Sequence, residues 1–199
     1  MMTSESDAAA DLREKETLSD LSSAEEKSIV LVGLMGAGKS SVGRRLATAL
    51  NLPFKDADTE IEIASNLSVP EFFEKHGEAA FRDGERKVIA RLLSGPQHVL
   101  ATGGGAYMDP QTRSLIAKQG RSVWLKADLD TLHKRCMKWN TRPLLRTGDP
   151  KKILHDLMET RYPVYAEADV TVESSDGPHE AVVDLIIHAL KDFNGENSA

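Results

Sequence analysis

The chain alternates between short apolar runs and longer stretches whose apolar residues recur at helical spacing. Ser28-Ile29-Val30-Leu31-Val32 is an apolar run of strand length, suited to a parallel strand buried on both faces. Residues 41–50 then read as a helix. Asn51 and Pro53 punctuate a second strand around Phe54-Lys55, which ends at Asp56-Ala57-Asp58. Ser68-Val69-Pro70-Glu71 has the form of a capping box with proline at the first helical position, and Gly77 is expected to stop the short helix it opens. A longer helix follows from about Glu78, with Phe81, Val88, Ile89, Leu92 and Leu93 on its apolar side and a weak break at Asp83-Gly84.

Gly95-Pro96 turns the chain into the strand Val99-Leu100-Ala101-Thr102. Asp109-Pro110 opens another helix and Gly120 closes it. Ser122-Val123-Trp124-Leu125 is a further apolar strand, and Asp128 and Asp149-Pro150 each open a helix. Arg161-Tyr162-Pro163 is expected to end the second of these. Val170-Thr171-Val172 is the last strand, followed by a helix ending near Phe193. Strands alternating with helices through short links predict an α/β fold, a parallel sheet covered on both faces. Residues 139–148, polar and interrupted by Pro143 and Gly148, are the best candidate for a mobile lid.

Charge divides the chain. Residues 1–27 hold eight acids against three bases, most of the net charge of −6, and few large apolar residues. They are expected to form a disordered acidic tail before a single domain spanning 28–199. The near-neutral remainder argues against a nucleic-acid partner. No run approaches the ~18 apolar residues of a membrane span. Neither a secretory nor a transit signal fits the tail, so a cytoplasmic location is expected. Cys136 is the only cysteine, which excludes an internal disulfide.

The strongest chemical signal is Gly33-Leu34-Met35-Gly36-Ala37-Gly38-Lys39-Ser40, lying between the first strand and the first helix. In that context it is a phosphate-binding loop: Gly36, Ala37, Gly38 and Ser41 offer backbone N–H groups, Lys39 neutralises the β- and γ-phosphates, and Ser40 sits on Mg²⁺. Three further groups fall where ligands bind an open α/β sheet or could close over it. Asp56 and Asp58 flank one residue and, in an extended segment, point the same way; one would hold Mg²⁺ through water while the other accepts a hydrogen bond from the attacking hydroxyl. Gly103-Gly104-Gly105 lets the backbone approach a ligand and offers N–H donors. Arg82, Arg142 and Arg161 suit an acceptor bearing a carboxylate, with Arg142 in the lid over the transferring phosphoryl group. The six histidines show no metal-ligand spacing and read as structural or surface residues.

Together these residues resemble the shikimate kinase family over roughly residues 29–190. The phosphate loop, Asp56-Ala57-Asp58, Phe81-Arg82 with Glu85 behind it, Gly-Gly-Gly-Ala at 103–106, Arg142-Pro143-Leu144-Leu145 and Arg161-Tyr162-Pro163-Val164-Tyr165 occur in the family's order and spacing. The resemblance implies a three-layer fold like that of nucleoside monophosphate kinases, with five parallel strands ordered 2-3-1-4-5. It implies an ATP- and Mg²⁺-dependent transfer to the 3-hydroxyl of shikimate; separately, a monomer is expected. It places Asp58, Arg82, Gly104 and Arg161 on shikimate, Lys39 and Arg142 on the transferring phosphate, Ser40 and Asp56 at Mg²⁺, and Arg135 against adenine. Two departures stand out: Ser40-Ser41 replaces the usual Ser-Thr or Thr-Thr, and Ser174-Ser175-Asp176-Gly177-Pro178 lacks a basic residue that contacts nucleotide in some members.

Gluconate and nucleoside monophosphate kinases share the loop but leave the set of Asp58, Arg82, the glycine triplet and Arg161 unexplained. A nucleotide-dependent switch is the alternative from another class. Against a GTPase, none of Asn51, Asn66, Asn140 or Asn194 is followed by lysine.

Overall fold

In the computed structural model, which describes residues 27–138 and 148–196, the first apolar run lies at the centre of the sheet. β1 (Ser28–Val32) is buried at every residue, as a strand flanked on both edges and covered on both faces must be. It pairs in parallel with β3 (Val99–Ala101) and β4 (Gly120–Lys126); β2 (Phe54–Asp56) and β5 (Val170–Glu173) complete the edges. The order is β2-β3-β1-β4-β5, the order implied by the resemblance. The β1→β2 connection steps one way across the sheet and the later connections step back. Right-handed crossovers therefore place α1 (Lys39–Ala49) on one face and α3 (Val69–Leu93) and α4 (Pro110–Gln119) on the other. α7 (His179–Glu196) packs beside α1 and against β5.

The helix starts read from the sequence carry their caps. Ser68 and Glu71 form the reciprocal capping box of α3, Asp109 accepts from Gln111 N–H at 2.9 Å, and Asp149 accepts from Lys151 N–H at 3.0 Å. Asp128 does the same before α5 (Leu129–Lys138), accepting from Thr131 N–H at 2.8 Å. Gly77, at φ 79° and ψ 172°, kinks α3 where a stop was expected, whereas Asp83-Gly84 stays helical.

Three expectations are corrected. α2 (Ala57–Ser65) begins directly after β2, so Asp56-Ala57-Asp58 is a strand end and the first helical turn, not an extended segment. β4 is longer than expected, because Gly120 serves as both the C-cap of α4 and the first residue of the strand. α6 (Pro150–Tyr165) runs through Pro163 for two more residues. Near a helix end the proline forfeits a single backbone bond. Tyr165, fully buried, then anchors the last turn through its hydroxyl on the Gly104 carbonyl and its ring against Trp124. The candidate lid, with Arg142, lies outside the described residues except for Gly148, and so does the acidic tail except for Lys27.

Candidate active site

The loop between β1 and α1 sits at the carboxyl end of the central strand, where the sheet's geometry concentrates ligand sites. Gly38 is the N-cap of α1 and has no side chain with which to cap it, so the first-turn N–H groups remain available to an anion. Lys39, nine-tenths buried, curls back to donate to the Gly33 carbonyl at 2.8 Å and the Leu34 carbonyl at 3.0 Å, which holds its charge over the loop. The Ser40 hydroxyl donates to Asp56 Oδ2 at 2.7 Å, and Asp56 Oδ1 accepts from Asp58 N–H at 3.1 Å. One carboxylate thus joins the start of α1, the end of β2 and the start of α2. Ser40 and Asp56 form an oxygen-only pair on the wall of a cavity, the donor chemistry suited to Mg²⁺, which keeps several waters and is bound through few protein groups.

That cavity, about 560 Å³, runs from the loop past Asp56, Asp58 and Thr102 to Gly103 and Gly104, and on its other side to Arg135, Asp176 and His179. The glycine triplet does something other than merely expose backbone. A Cβ on Gly103 would lie 2.7 Å from Glu85 Oε1 and 3.0 Å from Asp58 Oδ1, and one on Gly105 would lie 2.5 Å from the Arg82 guanidinium. The missing side chains make room for the protein's own charged groups to pack across the loop. Arg161 Nη1 donates to the Gly104 carbonyl at 2.8 Å. Two guanidinium groups from α3 and α6 therefore meet one tripeptide, an arrangement suited to a carboxylate. Neither arginine lines the 560 Å³ cavity; both lie beside it, at the triplet.

Glu85 fixes Arg82 with a 2.7 Å ion pair and is itself buried. Burial pushes its carboxyl above the usual range, opposed by Arg82. Its Oε1 has no hydrogen-bond partner among the described residues and, with Asp58 Oδ1, places carboxylate acceptors over Gly103. Burial likewise pushes the Tyr165 hydroxyl up to about 12, so it remains a neutral donor to the Gly104 carbonyl at neutral pH.

The sequence brings Gly36, Ala37, Gly38, Lys39, Ser40, Ser41, Asp56, Asp58, Gly103, Gly104, Gly105, Arg82, Arg135 and Arg161 into one region, and the structure places all of them around the loop and triplet. The site thus combines a phosphate loop, a carboxylate pair and a glycine triplet met by two guanidinium groups. The family profile described as shikimate kinase matches residues 35–191. The chain belongs to the shikimate kinase family. It is 58% identical over 172 residues to a shikimate kinase of Caulobacter vibrioides, covering 86% of each chain. It is 60% identical over 164 residues to one of Paramagnetospirillum magneticum, covering 82% of this chain and 84% of that protein. Among solved structures, a shikimate kinase from Acinetobacter baumannii in complex with shikimate superposes with a TM-score of 0.80 at 37% identity, over 84% of this chain and 94% of that one.

Within this family member, several residues of the site escape sequence reading. Thr102, Cys136, Lys138 and His179 line the cavity, although none of them belongs to the motifs or carries a local signal. Tyr165 reaches the triplet because α6 continues past its proline. Asp176 had a visible signal, as the acid where some members carry a base, and it pairs with Lys134 and faces Arg135 Nε at 3.7 Å.

Proposed function

We propose that this chain transfers the γ-phosphoryl group of ATP to the 3-hydroxyl of shikimate, giving shikimate 3-phosphate and ADP on the route to chorismate and the aromatic amino acids. The observation that carries the reading is the convergence of Arg82 and Arg161 on the glycine triplet beside a phosphate loop. The acceptor's carboxylate binds the two guanidinium groups, and its hydroxyls donate to Asp58. The attacking hydroxyl, oriented by Asp58, forms the new O–P bond as the bond between the γ-phosphorus and the β,γ-bridging oxygen breaks, and its proton leaves along the hydrogen bond to the Asp58 carboxylate. ADP leaves with the electron pair. Loop N–H groups and Lys39 hold the β- and γ-phosphates in line, and Arg142 closes over the transferring group. Ser40 and, through water, Asp56 would hold Mg²⁺, which when bound neutralises charge on the phosphate oxygens. Arg135 supports the adenine. Catalysis on this scheme is positioning and charge neutralisation, with the lid excluding water.

No helix among the described residues is long and apolar enough to cross a membrane. We assign the enzyme to the cytoplasm, as a monomer whose kinase domain spans 28–199 behind the acidic segment 1–27. Purified protein with Mg·ATP should form ADP with shikimate and not with gluconate, with AMP or without acceptor. Turnover with gluconate or AMP instead would overturn the acceptor assignment, and nucleotide binding without turnover on any acceptor would favour a regulatory protein.

A further inference from the structure

One buried hydroxyl touches both the phosphate loop and the cation on the far wall of the cavity. Ser174 follows β5, is 2% exposed, and is held in place by its backbone N–H on the Lys126 carbonyl at 2.6 Å. Its Oγ donates to the Ala37 carbonyl at 2.8 Å and accepts from Arg135 Nη1 at 3.0 Å. A hydroxyl has one proton to give, and here that proton goes to the loop while a lone pair goes to the arginine. In a trans peptide the C=O and N–H point in opposite directions. Pinning the Ala37 carbonyl outward therefore turns the Gly38 N–H the other way, toward the cradle. The same contact, with Nη1 on the Gly36 carbonyl at 3.3 Å and Nη2 on the Ser175 carbonyl, sets the plane of the Arg135 guanidinium.

We infer that Ser174 is a positioning residue for the nucleotide, which locks the Ala37–Gly38 peptide and Arg135 into one unit so that phosphate and base are received together. The inference rests on the nucleotide reading of Arg135 given above. Asp176 adds charge to the outer side of this unit through Lys134 and Arg135, but among the described residues Ser174 is what joins the arginine to the Ala37 carbonyl.

The test compares wild type, Ser174→Ala, Ser174→Thr, Arg135→Gln and the Ser174→Ala/Arg135→Gln double variant. It reads steady-state kcat and KM for both substrates and the affinity for Mg·ADP by titration calorimetry, with thermal melting to check folding. Ser174→Ala should raise the ATP KM and weaken Mg·ADP roughly tenfold, the scale of a lost hydrogen bond to a charged group, with the shikimate KM within about twofold. Ser174→Thr, which keeps the hydroxyl, should stay near wild type. The double variant should be weaker than Arg135→Gln by much less than tenfold, because the two residues act as one unit. An unchanged ATP KM in Ser174→Ala, an alanine-like threonine variant, or full additivity would each overturn the inference. An Arg135→Gln variant with unaltered nucleotide affinity would overturn the role of Arg135, and this coupling with it. Should the alanine variant not fold, Ser174→Cys, with a much weaker donor of similar size, gives the same reading. Calorimetry needs no acceptor, so a wild type inactive on shikimate would sink the proposed function while leaving the Ser174 comparison intact.

Discussion

Arg82 shows how a single side chain is prepared for a ligand. Its guanidinium lies 5.3 Å from the Phe81 ring centre, is gripped by Glu85 at 2.7 Å, and passes over Gly105, which has no Cβ to obstruct it. Each contact removes rotamer freedom before a ligand arrives, so less entropy is lost on binding. The side chain remains about 30% exposed, enough to present donors outward. Replacing Arg82 with alanine should raise the shikimate KM by about 10- to 100-fold, the range expected for a lost charge-assisted hydrogen bond, and leave the ATP KM within about twofold. Arg82→Lys should recover little, since an ammonium cannot reproduce the planar fork. Steady-state kinetics with each substrate varied decides the matter. A matching rise in the ATP KM would remove Arg82 from the acceptor side.

At the scale of elements, what could be read in advance follows from how local each cause is. Caps and the prolines beside them depend on a few adjacent residues and fall in the first turns where the sequence puts them, with Pro70 the second residue of α3 rather than the first. Gly77 breaks the helix at the expected residue, as a kink rather than a stop. The apolar runs of β1 and β4 are equally local and mark the buried centre of the sheet. α2 was hidden because its Ala57-Asp58-Thr59-Glu60 opening resembles a polar loop, and its helical start is set by Asp56, whose carboxylate also answers Ser40 on another element. The last turn of α6 was hidden because tertiary anchoring of Tyr165 overrides the proline. The glycine triplet was legible as a site, but its neighbours Glu85, Asp58 and Arg82 come from two helices that only the fold brings together. Asp83-Gly84 is the opposite case, a local break signal that the helix ignores. A Cβ on Gly84 would meet only the Phe72 ring at 4.0 Å, an ordinary contact. Gly84→Ala should therefore raise stability by about 0.5–1 kcal/mol, read as a higher urea midpoint at constant m-value. A lower midpoint would show that α3 needs the glycine's freedom there.

For the whole molecule, the two ends of the parallel sheet carry different polar groups. The phosphate loop, Asp56 and Thr102 stand at the carboxyl ends of β1, β2 and β3. At the opposite ends His98, just before β3, packs against Ser28 at the start of β1. Its Nδ1 lies 3.0 Å from Ser28 Oγ and 2.8 Å from the Pro96 carbonyl, and its buried Nε2 has no hydrogen-bond partner among the described residues. A second proton would have to be placed on that buried nitrogen. Burial accordingly holds the imidazole below the usual histidine range, the Pro96 carbonyl pulling the other way; Lys55 adds to the lowering and Glu60 opposes it. A histidine depressed in the folded state is protonated first in the unfolded chain, which then binds more protons than the native state. Stability must therefore fall as pH drops below the ordinary histidine value of about 6.5, and continue falling until the folded-state value is reached. Carboxylates paired in the fold add their own acid loss lower down, so the comparison has to be made against a variant. Urea midpoints at pH 7.5 and 5.5 should drop further for wild type than for His98→Gln, which cannot acquire the proton. Because the residue lies at the far end of the sheet from the loop, kcat at pH 7.5 should be the same in both proteins. Equal drops in the two proteins would mean that His98 is hydrated or already charged in the native state, and a changed kcat would mean that the two ends of the sheet are coupled.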